Sequence, residues 1–375
     1  MGKNGIQVAV YYFPNYHVDP RNEAVHGRGW SEWELMKCAR PRFPGHRQPK
    51  TPLWGYEDES DPAVMAKKIR TAAAHGIDAF VFDWYWYDGP FLERALEEGF
   101  LNAPNCGDLR FALMWANHDW RNCHPGGRGD HPVLYPWNST ADNVGEVWDY
   151  VIENFLTRPN YWRVGGKPYF SIYQFQKFLL RMGGPEGAKA VLDDFRSRAV
   201  RAGLPGVHIC GIWYDILEEK EPQYEICHQR EWAEKIGIDS YTSYNNLCLF
   251  RAAKGFPFID AGRAISDYAV SCTRARKLPA PYFPVITAGW DSSPRAIQSE
   301  IYEDNLDYPY LPVMEVLPDQ LDQAIRSLMP HLESYPEGQR ILFFNAWNEW
   351  TEGSYLEPDT DRGFTLLEAI KKHFA

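Results

Sequence analysis

Short runs of β-branched and aromatic residues alternate along the chain with longer segments whose apolar residues recur at helical spacing. This alternation is typical of a parallel sheet wrapped in helices. Eight runs are predicted to be strands, the number that closes a (β/α)8 barrel. The fold class is therefore predicted to be α/β, a (β/α)8 TIM barrel with long loops after strands 1 and 3. The predicted strands are residues 6–13, 77–84, 110–116, 168–173, 207–213, 238–244, 283–290 and 341–347.

Helix signals fall between these strands. Residues 61–76 begin with an Asp and a Pro and end on a Gly, which are favoured at the start and just past the end of a helix. Residues 185–203, 264–277 and 320–334 also have helical spacing. The insertion over residues 17–56 shows little helical spacing. A loop of that length is uncommon unless it is functional. Together with a second loop over residues 115–138, it is predicted to cover the barrel mouth, and residues 1–375 are predicted to form one domain.

Composition adds an unusual aromatic content. Trp 15, Tyr 22 and Phe 20 make up 15% of the chain, more than the core is expected to need. Aromatic faces beyond core demand favour a surface that stacks on sugars or bases. The charge favours sugars over bases as the ligand. The net charge is −11 and there is no long Lys/Arg run, whereas a nucleic-acid binder needs a basic surface. Nucleic acid is therefore not expected as a partner.

Hydropathy, the first residues and the cysteines narrow the class of protein further. Mean hydropathy is −0.47, and no apolar stretch approaches the roughly 18 residues that a membrane span needs. The first residues predict a strand rather than a signal peptide, which favours a cytoplasmic protein; a leader removed beforehand would instead indicate the periplasm or secretion. The seven Cys show no zinc or CxxC spacing and are most simply reduced thiols. No metal and no cofactor is predicted.

Aromatic, Asn and acidic residues recur where the predicted strands end. In a barrel these ends converge on the face that carries the active site. The alternative is that turns simply begin there, but turn chemistry does not call for Trp and Tyr beside carboxylates. The candidate sugar-binding residues at these ends are Tyr12, Asp83, Trp84, Asn117, His118, Tyr214, Asp215, Trp290, Asp291 and Asn348.

The most specific local pattern follows the last predicted strand, in ILFFNAWNEWTEGSYLEP. Glu349 and Glu352 lie three residues apart beside Trp350. Paired carboxyls with flanking aromatics suit glycosidic bond cleavage, in which one group protonates the leaving oxygen and the second acts on the other side. An ordinary turn with two solvated glutamates is the alternative. Glu349 and Glu352 are therefore the predicted catalytic residues, and Trp350 and Tyr355 are further candidates for substrate binding.

The element NEWTEG resembles the Asn-Glu-Trp-x-Glu-Gly element of glycoside hydrolase family 99, the endo-α-mannosidases and endo-α-mannanases. Further blocks resemble the related WbsX-type proteins, often labelled polysaccharide-biosynthesis glycosyltransferases. They are YYFPNYH, GRGWSEWELMKCARPRFPGHRQP, GIDAFVFDWYW, MWANHDW and FFNAWNEWTEGSYLEPDTDRGFTLLEAI. The blocks span nearly the whole chain, while residues 175–335 carry the resemblance only weakly.

The resemblance implies a (β/α)8 barrel and a retaining mechanism. The residue matching Glu349 acts as a base on the substrate's 2-hydroxyl, which attacks its own anomeric carbon to give a 1,2-anhydro sugar. The residue matching Glu352 protonates the leaving oxygen and later activates water. Two departures stand out: Thr351 occupies a position that is usually His in family 99, and Asp83 is an additional carboxylate.

The sequence therefore predicts a glycoside hydrolase that acts on an α-linked oligosaccharide or polysaccharide, manno- or rhamno-configured. The alternative is a glycosyltransferase of O-antigen or polysaccharide biosynthesis. Such enzymes usually need a diphosphate site, and no clear one is present in the sequence. Within the first insertion, His17, Glu32 and Trp33 are candidates to line the substrate cleft, although a packed aromatic corner would explain them equally well.

Overall fold

The structure is a computed structural model that describes residues 5–213, 229–246, 255–303 and 308–375. It contains a nearly closed barrel of nine parallel strands, which confirms the predicted α/β TIM barrel. The barrel strands are β1 Gln7–Tyr12, β2 Ala79–Trp86, β3 Arg110–Trp115, β4 Lys167–Ile172, β5 His208–Ile212, β6 Ser240–Thr242, β7 Tyr282–Phe283, β8 Val285–Thr287 and β9 Ile341–Asn345. Their order around the barrel is β7–β6–β5–β4–β3–β2–β1–β9–β8.

A single stretch of chain closes the barrel, because β7 pairs with β6 and β8 pairs with β9 while only Pro284 separates β7 from β8. Proline has no N–H to donate and so interrupts the ladder. Its carbonyl still accepts a hydrogen bond from the Phe343 amide at 2.8 Å. The predicted strand over 283–290 was therefore wrong in its bounds. Its last part, Gly289–Trp290, pairs in antiparallel fashion with Met314–Glu315 outside the barrel.

The helical layer matches the predicted helices at 61–76, 185–203, 264–277 and 320–334. The first insertion differs from its prediction, because it contains two helices of seven and six residues, too short to show a helical period. Asp19 begins the first of them by accepting a hydrogen bond from the Arg21 amide at 2.8 Å. The helices are α1 Pro20–His26, α2 Trp33–Cys38, α3 Pro62–Ala74, α4 Val144–Val151, α5 Phe175–Arg181, α6 Gly184–Arg201, α7 Gln229–Ile236, α8 Ala261–Cys272, α9 Pro318–Glu333 and α10 Thr365–Phe374.

Short helical segments and strands are added to the barrel and its helices. Within the described ranges, two π-helical segments and four 3-10 turns extend or link the helices and loops, and the remaining strands form small antiparallel pairs. The π segments are Ala95–Phe100 and Ile152–Leu156, and the 3-10 turns are Cys106–Asp108, Thr273–Lys277, Ser293–Arg295 and Trp350–Glu352. The small strands are Pro90–Phe91 beside β2, Arg163–Val164 beside β4, Trp120–Arg121 with Val133–Tyr135, and Asn348–Glu349 with Ser354–Tyr355.

The aromatic residues are used differently from the prediction. Twelve of the fifteen Trp are buried, and most of them belong to one large hydrophobic core that runs between the barrel and its helices. Trp148 is an example, because its ring lies between Trp115 of β3 and Phe195 of α6, with the Phe195 ring centroid at 4.2 Å. The expectation that Trp exceeds core demand was therefore wrong. Aromatic rings of this size fill the wide spaces between barrel and helices that smaller side chains would leave empty.

None of the helices in the described part of the chain is both long and apolar enough to cross a membrane.

Candidate active site

The predicted catalytic pair lies on a tight hairpin that follows β9. Asn348–Glu349 pairs with Ser354–Tyr355, and the turn between them closes through Gly353, whose φ of 65° suits glycine. Added side-chain atoms are also excluded there, since a Cβ on Gly353 would lie 2.6 Å from the Asp291 Cβ. The side chains of Glu349 and Glu352 are 5% and 11% exposed. The hairpin therefore delivers two nearly buried carboxyl groups to the end of the barrel.

Arg295 binds both carboxyl groups. One of its terminal nitrogens, Nη1, lies 2.5 Å from Glu352 Oε1, and the other, Nη2, lies 3.2 Å from Glu349 Oε2. The guanidinium itself is buried, and Nη1 also donates to the Tyr308 hydroxyl at 2.7 Å. The rigid fork of the guanidinium fixes the two carboxyl groups side by side.

Glu32, from the first insertion, is a further carboxylate in this cluster. It accepts from Arg295 Nε at 2.9 Å and from the Asn15 side-chain amide at 2.6 Å. The Thr351 hydroxyl also donates to it. Because Thr351 lies between the two catalytic candidates, this contact ties the first insertion to the NEWTEG hairpin.

Tyr244 links the pair to Asp83, the additional carboxylate. Its hydroxyl lies 2.8 Å from Asp83 Oδ2 and 2.8 Å from Glu349 Oε1. Asp83 faces the barrel interior from β2, and Tyr244 follows β6 and packs on the ring of Tyr11, with centroids 4.8 Å apart. We name the residues Glu32, Asp83, Tyr244, Arg295, Tyr308, Glu349 and Glu352 the carboxyl cluster.

Burial and charge shift the pKa values within the carboxyl cluster. Burial raises the pKa of Glu349 well above its ordinary value, and the neighbouring Glu352 adds to the shift. Burial also raises the pKa of Glu352, against the opposing effect of Arg295. Burial acts in the same direction on Glu32, but Arg295, His124 and the hydrogen bond from Thr351 together outweigh it, and the pKa of Glu32 is lowered. Two adjacent carboxyls with raised pKa values are suited to acid–base chemistry near neutral pH.

Three members of the carboxyl cluster were not among the predicted site residues. They are Tyr244, Arg295 and Tyr308. Arg295 could have been predicted from the sequence, because it follows a predicted strand end by a few residues, in WDSSPR. A site rich in buried carboxylates also requires a cation. Tyr308 had none, because it lies in an irregular segment far along the chain from its partners.

Two predicted residues face the helices rather than the barrel interior. Side chains alternate along a strand, so the neighbours of an inward residue point outward. The Tyr12 hydroxyl contacts the Met65 sulfur of α3 at 3.4 Å, and Trp84 stacks with Tyr150 of α4, with centroids 6.1 Å apart. Neither side chain reaches the carboxyl cluster, whereas Tyr11, the neighbour of Tyr12, does face the interior. A contact of Tyr12 or Trp84 with substrate stays a prediction.

The candidates from the two long loops make local contacts. Trp33 donates from Nε1 to the Glu57 carbonyl at 2.8 Å. Asn117 accepts from the Gln174 amide at 2.8 Å, which joins the loops after β3 and β4. His118 is less buried, and its Nδ1 lies 2.9 Å from the carbonyl of the next residue. A role of these residues in sugar binding stays a prediction.

His17 is buried, and neither of its ring nitrogens has a hydrogen-bond partner among the described residues. Burial lowers the pKa of His17 to about 4. Its ring is therefore neutral near neutral pH, and its predicted contact with substrate is untested.

Trp290 and Asp291 lie beside the hairpin. Asp291 is fully buried and contacts His46 at 2.9 Å and Gln48 at 2.7 Å, both from the first insertion. Its amide donates to the Glu352 carbonyl at 2.5 Å. Asp291 therefore fixes the backbone at Glu352, and Trp290 is buried next to it.

The remaining candidates on the hairpin hold it in place through hydrogen bonds and ring stacking. Asn348 exchanges hydrogen bonds with the backbone of Phe13 at 2.7 and 2.8 Å. Trp350 stacks on Tyr355 with ring centroids 3.8 Å apart, and its indole N–H donates to Glu357 at 2.8 Å. All three residues are buried. The last two candidates, Tyr214 and Asp215, lie outside the described residues.

Within the described ranges, no three His, Cys, Asp or Glu side chains are grouped as ligands for a metal ion.

Comparison with known proteins places this site in a family. The family model described as Glycosyltransferase WbsX matches residues 8–370. The chain belongs to the WbsX family. A curated relative, the uncharacterized protein WxcX of Xanthomonas campestris pv. campestris (strain B100), is 27% identical over 97% of this chain and 49% of its own length. The chain thus spans about half the length of the curated relatives that it matches.

Solved structures share the fold of this WbsX-family chain. The GH99 endo-alpha-mannosidase from Bacteroides thetaiotaomicron superposes with a TM-score of 0.57 at 15% identity, over 98% of this chain and 96% of the other. A protein described as glycoside hydrolase-like gives a TM-score of 0.59 at 15% identity, over 98% and 94%. At these identities the likeness establishes the barrel fold alone.

Proposed function

We propose that this chain is a glycoside hydrolase that cleaves α-linked glycans or polysaccharides whose sugars are manno- or rhamno-configured. The observation that carries the proposal is the pair Glu349 and Glu352, held on one buried guanidinium at the end of a barrel with the GH99 endo-alpha-mannosidase fold. Residues 1–375 would act as one catalytic domain on an oligosaccharide or polysaccharide. No cofactor is required by this chemistry.

The proposed reaction is retaining and passes through a 1,2-anhydro sugar. Glu349 takes the proton of the 2-hydroxyl while that oxygen attacks the anomeric carbon, and Glu352 donates a proton to the departing glycosidic oxygen. In the second step Glu352 takes a proton from water as that water opens the anhydro ring, and Glu349 returns its proton to the 2-oxygen. Each carboxyl therefore ends the cycle as it began it.

The electrostatics of the carboxyl cluster support these roles. A base is stronger when its pKa is raised, and an acid must keep its proton near neutral pH. Burial raises the pKa of both Glu349 and Glu352. Because the two carboxyls lie next to each other on Arg295, protonation of one favours ionisation of the other, as an acid–base pair requires.

The test is to incubate the protein with α-mannans, rhamnans and O-antigen polysaccharides and to measure released reducing ends. Glu349→Gln and Glu352→Gln should each abolish cleavage with the fold unchanged by circular dichroism. Glu368→Gln is the matched control, because Glu368 has a 58% exposed side chain far from the carboxyl cluster. Unchanged turnover in either hairpin variant would contradict the assignment of that residue.

A glycosyltransferase is the second candidate, and the description of the family model favours it. The two candidates separate in one experiment, in which the same polysaccharides are incubated with and without nucleotide sugars. Transfer of sugar that depends on the nucleotide donor would support the transferase. Cleavage without any donor would support the hydrolase.

A further inference from the structure

The Tyr244 hydroxyl lies between two carboxyl groups at equal distances of 2.8 Å, Asp83 on one side and Glu349 on the other. The ring is held in place, since Tyr11 packs on it at 4.8 Å between centroids and Tyr173 meets it edge-on at 5.4 Å. The contacts are therefore part of the packed barrel interior rather than of a mobile side chain.

Two hydrogen bonds at one phenol hydroxyl require two protons. Tyr244 supplies one, because burial and then the nearby Asp83 raise its pKa well above the ordinary value and keep the phenol protonated. A phenol donates a single hydrogen bond and accepts others. The second contact therefore needs a proton on one of the two carboxyl groups.

The surroundings favour Asp83 as the protonated group. Glu349 has a cation at 3.2 Å, the Arg295 guanidinium, which stabilises its ionised form. Asp83 is 3% exposed, and its Oδ1 is buried without a hydrogen-bond partner among the described residues. An isolated buried carboxylate is costly, whereas a neutral carboxyl is not. The charge therefore belongs on Glu349 and the proton on Asp83.

We propose that Asp83 is a positioning residue that acts through Tyr244. Protonated Asp83 donates to the Tyr244 oxygen, and Tyr244 donates to Glu349 Oε1, so that Glu349 is oriented and kept ionised until it receives the sugar's proton. The inference rests on the proposed function, because it assigns Asp83 a task in the activation of the base. No proton leaves Asp83 during the reaction.

Other charged and titratable groups also face this chain of hydrogen bonds, and each belongs to a different part of the barrel. Glu352 and Glu32 raise the pKa of Glu349, and Arg295 lowers it. Glu352 also raises the pKa of Asp83 and Arg295 lowers it. Two tyrosines lie near Asp83 and Tyr244. They are Tyr11 of β1 and Tyr85 of β2.

The first experiment is infrared spectroscopy of the whole protein with ¹³C-labelled aspartate at neutral pH. The wild type should show the C=O stretch of a protonated aspartic acid, Asp83→Asn should lose it, and Tyr244→Phe should shift it. Asp78→Asn is the control, because Asp78 pairs with Arg110 at 2.6 Å at the opposite end of β2. Identical spectra for wild type and Asp83→Asn would overturn the inference, whatever the protein hydrolyses.

The second experiment uses the rate of α-mannan cleavage. Asparagine mimics a protonated aspartate, since its amide donates to Tyr244. Asp83→Ala should lower kcat by about 100-fold through loss of alignment. Asp83→Asn should restore most of that loss, and both variants should bind substrate with little change in KM.

The pH profile gives a readout that a purely structural role would not change. Without its donor, Glu349 is harder to ionise, so Asp83→Ala and Tyr244→Phe should move the acidic limb of kcat/KM to higher pH. Asp83→Asn should leave that limb near its wild-type position. If Asp83→Asn were as inactive as Asp83→Ala, Asp83 would act as an anion and the inference would be wrong. If no α-mannan is cleaved by the wild type, the proposed function fails on this substrate, and the infrared result alone decides the inference.

Discussion

Replacement of Arg295 by Met should destabilise the protein strongly, because the guanidinium is the cation shared by three buried carboxyl groups. It contacts Glu32 at 2.8 Å, Glu352 at 2.5 Å and Glu349 at 3.2 Å. Removal of one partner from a buried ion pair typically costs 3–5 kcal/mol, since the other partner is left charged and unpaired. We expect a loss of about 4 kcal/mol in the free energy of unfolding at neutral pH.

The loss should depend on pH with a definite sign. In the wild type burial raises the pKa of Glu32, but Arg295, together with His124 and Thr351, brings it below its ordinary value of 4.5. A depressed folded-state pKa stabilises the protein above the unfolded-state pKa, and this contribution disappears as the pH falls through the folded-state value. In Arg295→Met the strongest effect that opposes burial is lost, and the pKa of Glu32 rises. The difference between the variant and the wild type should therefore be largest at neutral pH and should shrink towards pH 4.

The assay is urea unfolding of both proteins at several pH values between 4 and 8. Arg263→Met is the matched control, because Arg263 pairs with Asp267 at 3.7 Å and its side chain is 66% exposed. Exposed pairs contribute roughly 0–1 kcal/mol, and this variant should show little dependence on pH. A loss below about 1 kcal/mol for Arg295→Met at neutral pH, or an equal loss at every pH, would refute the reasoning.

Three further predictions follow from other buried groups. Lys68→Met should lower the free energy of unfolding by about 3–5 kcal/mol in urea titrations, since Lys68 is paired with two buried carboxylates. A loss within about 1 kcal/mol would contradict the claim that these groups form a buried ion pair. A thiol reagent should label exposed Cys38 quickly in the native protein but Cys210 only after unfolding, because Cys210 is buried and burial raises its pKa to about 12. Mass spectrometry of labelled peptides checks the order. Gly353→Ala should abolish polysaccharide cleavage, because the added methyl group would lie 2.6 Å from the Asp291 Cβ and displace the hairpin; full activity would show that the hairpin tolerates the shift.

The barrel itself was predictable because its signal is repeated. Eight apolar runs separated by helical segments each carry the same information, so an error in one run does not change the fold. The bounds of the seventh run were wrong because Gly289–Trp290 leaves the barrel to pair with Met314–Glu315, and the rest is divided into two strands by Pro284. Its effect on pairing depends on which neighbours the two halves meet, and these neighbours, β6 and β9, come from distant parts of the sequence.

The proposed catalytic pair could be singled out in the sequence because it lies within six residues of one hairpin, whereas the residues that contact it are dispersed. Glu32, Tyr244 and Arg295 come from three different loops, and only closure of the barrel brings them together. The choice of Tyr12 over Tyr11 had another cause. The prediction used the position of a residue at a strand end, but the direction of its side chain is set by the two-residue alternation, and Asp83 on β2 fixes which parity faces inward.

The charge of the carboxyl cluster bears on the choice between hydrolase and transferase. With Asp83 and Glu352 protonated as proposed, its described residues still hold two ionised carboxylates, Glu32 and Glu349, against Arg295 as its cation, so its negative charges outnumber the positive one. Glycosidic cleavage develops positive charge at the anomeric carbon, which nearby carboxylates stabilise. A nucleotide diphosphate brings negative charge into the same space and would be repelled. On these grounds UDP or GDP should inhibit polysaccharide cleavage weakly at most, and tight competitive inhibition by either nucleotide would favour the transferase.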